Sequence, residues 1–114
     1  MEFRRRTFPH LVDYLQLLHA CGYAHTDIHQ DNLVMRGNQV VAIDYGSLSP
    51  LYKPCIYRGN VVCASDRVLR KLRNGESLFP VFPADDLHSL VRCVFMLLVP
   101  QVGRFYFEES LRFA

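Results

Sequence analysis

Apolar residues recur at Leu11, Val12, Leu15 and Leu18, the spacing of a helix that buries one stripe. The spacing predicts a helix opening at Thr7-Phe8-Pro9, where proline is tolerated in the first turn, and stopping at Gly22. The period then shortens. Asn32-Leu33-Val34-Met35 and Gln39-Val40-Val41-Ala42-Ile43 flank Arg36-Gly37-Asn38, which predicts two short strands around a turn. Residues 47–62 contain Pro50, Pro54 and Gly59 and read as a loop. A short helix is expected over 64–72. Residues 87–98 are apolar apart from His88, Ser89 and Arg92, the pattern of a helix buried on most sides, with Pro100 ending it. One more amphipathic turn or helix is expected over 107–113. The fold class these elements imply is mainly α with a short β-hairpin, α+β.

Composition narrows the setting. At 114 residues the chain holds one domain at most, and half of its residues are hydrophobic, with 21% charged, as in ordinary globular domains. The apolar run over 90–100 is broken by Arg92 and is too short to span a bilayer, so no membrane role is expected. Met1-Glu2-Phe3-Arg4-Arg5-Arg6 is basic, but no apolar signal core follows it. The net charge is only +2 and no basic stripe follows those arginines, which argues against nucleic acid as a partner. Cys21, Cys55, Cys63 and Cys93 show no Cys-x-x-Cys spacing, so zinc is not expected and a reduced, cytoplasmic setting is the simplest reading.

Chemistry concentrates between His25 and Gly46. The first motif is His25-Thr26-Asp27-Ile28-His29-Gln30-Asp31-Asn32, and the second is Asp44-Tyr45-Gly46, directly after the apolar Val40-Val41-Ala42-Ile43. Asp27 precedes Asn32 by five positions and Asp44 by seventeen. Asp and Asn are common turn and capping residues, so neither motif is diagnostic alone. In order, and joined by an expected hairpin, they carry far more information.

The pair resembles the catalytic centre of the protein-kinase-like superfamily, written H-R-D-L-x-x-x-N followed by D-F-G. The resemblance covers residues 8–99 and corresponds to the front part of the large, C-terminal lobe. It implies ATP with Mg2+ as cofactor. Phosphoryl transfer needs alignment and charge neutralisation more than covalent help. By resemblance, Asp27 accepts the hydrogen bond of the attacking hydroxyl, while Asp44 and Asn32 hold magnesium, which prefers hard oxygen ligands. Gly46 would permit the backbone turn that aims Asp44. Gly59-Asn60-Val61-Val62-Cys63-Ala64-Ser65-Asp66-Arg67-Val68-Leu69 resembles the end of an activation segment, G-T-x-x-Y-x-A-P-E-x-L, with Ser65 for the proline and Asp66 for the glutamate. The resemblance implies that Asp66 pairs with a distant arginine. Asp85-Asp86-Leu87-His88-Ser89-Leu90-Val91 resembles the start of the buried helix at the base of the lobe. There Asp86 would accept hydrogen bonds from the backbone of His25 and Thr26, and His25 would lie beneath the magnesium-binding turn. A helix N-cap is the plainer alternative for Asp86.

Departures from the pattern are informative. Thr26 replaces the arginine that gathers a phosphorylated loop, so ordering of that kind is not expected. His29 replaces the lysine that contacts the transferred phosphate, and H-x-D-x-H-x-x-N is similar to the loop of aminoglycoside and choline phosphotransferases. His29 can still donate to a phosphate, with a charge that depends on pH. The downstream segments favour a protein substrate, with a small-molecule acceptor or a non-catalytic pseudokinase-type interaction module as alternatives.

The chain contains no Gly-x-Gly-x-x-Gly loop and no lysine on the strand before Asp44. The expectation is a partial kinase-like domain over 1–114 without the small lobe that covers ATP. Such a fragment, truncated gene product or relic would turn over poorly by itself.

Overall fold

Helix α1, Pro9–Ala20, turns Leu11 and Leu15 into the core and leaves Leu17 in solvent, as the 3.6-residue period requires. The computed structural model describes residues 9–37, 39–99 and 101. The expected helix start at Thr7 and Phe8 and the segment 107–113 lie outside the described residues. The amides of Cys21 and Gly22 turn back to the carbonyls of Leu17 and His19 at 3.0 and 2.9 Å, and Gly22 takes φ +92°. That left-handed residue ends α1 where the sequence places a stop.

Among the described residues six short strands follow, in three two-stranded antiparallel sheets, so the fold is mixed α+β. β1, Tyr23–Ala24, pairs with β4, Ser49–Pro50. β2, Leu33–Arg36, and β3, Gln39–Ala42, form the expected hairpin in the register Leu33 to Ala42, turning through Gly37 at φ +63°. β5, Cys55–Ile56, pairs with β6, Leu78–Phe79. The segment 47–62 is therefore not all loop. Its strands are two residues long and their partners are distant in sequence, so no local periodicity could announce them.

Helix α2, Asp66–Arg73, begins at Ser65, whose hydroxyl accepts from the Val68 amide at 3.2 Å. Helix α3, Pro83–Leu98, has proline in its first turn, and Asp85 accepts from the Phe82 amide at 2.8 Å. The capping carboxylate is thus Asp85 rather than Asp86. α3 buries Leu90, Cys93 and Met96 but exposes Leu87, Val91, Phe95 and Leu98 on its other face. The expectation of a helix buried on most sides is corrected: it is apolar nearly all round, yet only one face is covered. Among the described residues no helix is long and apolar enough to cross a membrane.

Two cores result. One joins α1, the β2–β3 hairpin and α3 through Leu11, Leu15, Ile28, Val40, Cys93 and Met96. The other joins β1, α2 and β6 through Ala24, Leu51, Val68 and Phe79. The loop 25–29, between β1 and the hairpin, bridges them.

Candidate functional site

Loop 25–29 is held from behind by α3. Asp86, only 1% exposed, accepts from the His25 amide at 2.8 Å and the Thr26 amide at 2.9 Å, one on each carboxylate oxygen. His19 Nε2, from the last turn of α1, lies 2.8 Å from the same oxygen that serves His25. A buried carboxylate is tolerated only when its oxygens are hydrogen-bonded, and here three donors from two segments meet it.

The loop is also held in front. Thr26 takes φ +67°, an uncommon conformation for a β-branched residue that persists only where the surroundings impose it. Its hydroxyl donates to the Ser47 carbonyl at 2.8 Å. Its own carbonyl accepts from the Asn60 amide at 3.3 Å and the Tyr57 hydroxyl at 3.4 Å. Gly59 passes so close that a Cβ there would lie 2.1 Å from the Thr26 oxygen. Asn60 and Tyr57 carry no motif signal. The glycine at position 59 was legible, although its reason, close approach to backbone, was not.

Asp27 is oriented by its neighbours. Asn32 Nδ2 donates to Asp27 Oδ2 at 2.7 Å and to the Asp27 carbonyl at 3.0 Å, which leaves Asn32 Oδ1 for a cation. His29 Nδ1 accepts from the Asp31 amide at 3.2 Å, so its Nε2–H faces Asp27 Oδ1, also at 3.2 Å. His29 thus touches the carboxylate expected to serve as catalytic base. The Ile43 amide donates to the Asn32 carbonyl at 2.8 Å, which sets the Asp44 turn beside the end of the loop. Asp44 takes φ +65°, and the Gly46 amide donates to its Oδ1 at 3.2 Å. The left-handed residue is therefore Asp44, and Gly46 does not supply the turn's unusual dihedral. Gly46 instead brings a bare amide against the carboxylate, where a Cβ would come within 3.3 Å.

His25 lies between these groups, with its Nδ1 accepting from the Asp27 amide at 3.2 Å and its ring edge-on to Tyr45. Its Nε2 is buried, meets the Ile43 backbone, and has no hydrogen bond of normal geometry among the described residues. Burial pushes the His25 pKa below the usual imidazole value, against the opposing pull of Asp86, Asp27 and Asp44. His25 is accordingly neutral.

Asp66 and its neighbours tie α2 to α3. Asp66 is largely exposed and pairs with Arg92 of α3, a partner distant in sequence. A second tie escaped the motif reading: Ser65 Oγ donates to Asp85 Oδ1 at 2.7 Å, and Arg67 reaches Asp85 Oδ2 at 2.6 Å. Burial raises the Asp85 pKa, but the hydrogen bonds from Arg67, Ser65 and the Phe82 amide outweigh it and hold the carboxyl below its ordinary range. Among the described residues no group of three or more His, Cys, Asp or Glu could hold a metal ion. One carboxylate and one amide oxygen are the hard donors that magnesium accepts when nucleotide phosphates and water complete its shell.

No protein-family model matches the chain. Among solved structures, the fold is similar to that of a kinase, PK-1, of Cydia pomonella granulovirus, with 23% sequence identity and a TM-score of 0.58. The similarity covers 75% of this chain and 30% of that one. The fold is kinase-like, and the chain spans less than a third of that kinase's length.

Two outcomes follow from this geometry. Gly59→Ala should lower stability by roughly 1–3 kcal/mol in urea denaturation, because the added methyl must displace backbone rather than a flexible side-chain end. Wild-type stability in that variant would contradict the contact. For His25, a pKa lowered by folding means that its contribution is complete above about pH 6.5, the unfolded value, and is lost as pH falls through the lower folded value. Urea midpoints measured from pH 7.5 to pH 5 should therefore fall. His25→Asn, which retains an acceptor for the Asp27 amide, should flatten that fall. An unchanged pH dependence in the variant would count against a buried neutral His25.

Proposed function

We propose that this chain carries the catalytic loop and magnesium-binding turn of an ATP-dependent protein kinase. The observation that carries the reading is Asn32. Its side chain holds Asp27, while its backbone carbonyl accepts from Ile43, next to Asp44. One residue thereby joins the two carboxylates that phosphoryl transfer requires. Asp27 accepts the hydrogen bond of the acceptor hydroxyl, and Asn32 Oδ1 and Asp44 hold Mg2+ with ATP. When bound, the metal neutralises charge on the phosphates. His25, Gly46, Asp66 and Asp86 support the site, and His29 orients Asp27 and can donate to the phosphate.

A second reading has its own observation. His29 stands where protein kinases place a lysine and contacts Asp27 directly, the arrangement expected of a small-molecule phosphotransferase. The protein-kinase reading is preferred because 65–67, the end of the activation-segment-like stretch, is tied to α3 through Asp85. A segment anchored in this way offers a fixed surface to a protein acceptor. The domain is proposed to be a partial kinase-like one, from which the phosphate-covering loop and the anchoring lysine are missing in sequence.

The test uses Mn2+ as a paramagnetic stand-in for magnesium. With ATP present, it should broaden the amide resonances around Asn32 and Asp44 at weak affinity, and Asp44→Asn should abolish the effect. Transfer of labelled γ-phosphate by this chain alone should be undetectable, since positioning supplies most of the rate in this chemistry. Broadening elsewhere, or broadening that survives in Asp44→Asn, would overturn the assignment. Robust transfer lost in Asp27→Asn would confirm the residues but refute the dependence on further positioning groups.

A further inference from the structure

The second motif reads Asp44-Tyr45-Gly46, with a phenol where the resembled pattern has a plain phenyl ring, and the structure gives that hydroxyl a defined task. Tyr45 Oη donates to the Ala42 carbonyl at 2.7 Å, across the Ile43-Asp44 backbone. That carbonyl needs a partner. Because the Ile43 amide bonds to the Asn32 carbonyl, the adjacent Leu33–Ala42 pair is a non-hydrogen-bonded one, and the Ala42 carbonyl points away from β2. The Leu33 amide bonds instead to the Gln30 carbonyl. The Tyr45 ring, open to solvent on one side, packs on the other with its centroid 5.5 Å from His25 and 6.0 Å from Tyr14 of α1.

We infer that Tyr45 is a positioning residue, whose hydroxyl closes a ring over Ile43 and Asp44 and latches the Asp44 turn in its left-handed conformation. Asp44 at φ +65° is disfavoured in an isolated chain, so something must hold it there. The Gly46 amide on its carboxylate is a local bond that turns with it. The Tyr45 hydroxyl and ring are anchored outside the turn, to the end of β3, to α1 and to the catalytic loop. The latch also lines the cavity of about 320 Å3 between α1 and β3, whose wall includes Tyr14, Tyr45 and Asp44, so Asp44 is held at its rim. The consequence for metal binding rests on the function proposed above, whereas the latch itself does not.

Amide exchange and Mn2+ binding, measured together on the full chain, separate the two. Tyr45→Phe keeps the ring contacts and removes only the hydroxyl. The amides of Ile43, Gly46 and Leu48 should then exchange about fivefold to tenfold faster, the loss of roughly one net hydrogen bond, with Leu15 and Leu69 unchanged. Tyr14→Leu, which removes the ring contact from α1, should accelerate the same three amides by a smaller factor. If Mn2+ with ATP binds the wild type, its affinity should weaken several-fold in Tyr45→Phe. Unchanged exchange at the three amides, or equal acceleration throughout the core, would overturn the latch. Should Tyr45→Phe fail to fold, Tyr14→Leu decides by the same criterion. Absence of a Mn2+ effect in the wild type would count against Asp44 as a metal ligand and leave the exchange test standing.

Discussion

A single buried carboxylate governs the arrangement. Asp86 spends both oxygens on consecutive backbone amides of the loop that carries Asp27, and one oxygen also meets His19. Amides of the kind found at His25 and Thr26 cannot be satisfied by water once buried, and a carboxylate taken out of water needs donors in return. The two requirements are met together, which makes the interaction strongly dependent on geometry. It requires α3 to lie directly behind the loop, and the shared core of Leu11, Leu15, Cys93 and Met96 places it there.

With the back of the loop fixed, the front can hold strain. Thr26 is kept left-handed because its amide, hydroxyl and carbonyl each have a partner on a different segment. The strained pair Thr26 and Asp44 brackets the candidate chemistry, which is where unfavourable dihedrals tend to be maintained. Asp27 and Asn32 then need only short-range bonds to each other to reach a defined orientation. The tie of Ser65 and Arg67 to Asp85 extends the same logic by fixing the segment 57–67 against the helix that positions the loop.

Much of this arrangement was legible because the residues that meet in it are local in sequence. His25, Asp27, Asn32, Asp44 and Asp86 stand in short motifs whose spacing survives any change of surroundings, and the hairpin between the first two motifs shows a clear period. The strands β4 and β5 were not legible, being two residues long and defined only by partners elsewhere. His19, Tyr57 and Asn60 were missed because their roles depend on where the chain returns, and a histidine at a helix end or an asparagine in a loop has many ordinary uses. Gly46 shows a subtler failure. A glycine beside an aspartate suggested a glycine dihedral, yet the unusual dihedral fell on Asp44, and the glycine serves by lacking a side chain. Residues 87–98 carried two expectations: apolar residues all round a helix predict burial, and a partial lobe predicts an exposed apolar patch on that helix, and four of these residues do face solvent.

The most direct measurement of the central constraint is amide hydrogen exchange at His25 and Thr26 in the wild type and in Asp86→Asn. The substitution keeps one acceptor oxygen and turns an NH2 group toward the other amide, so shape is preserved while the hydrogen bonding is broken. The expected result is slow exchange at both amides in the wild type and selective acceleration in the variant by about tenfold or more, with hydrogen-bonded core amides such as Leu15 and Val41 changing far less. Equal protection of His25 and Thr26 in the two proteins would contradict the dependence of loop 25–29 on Asp86.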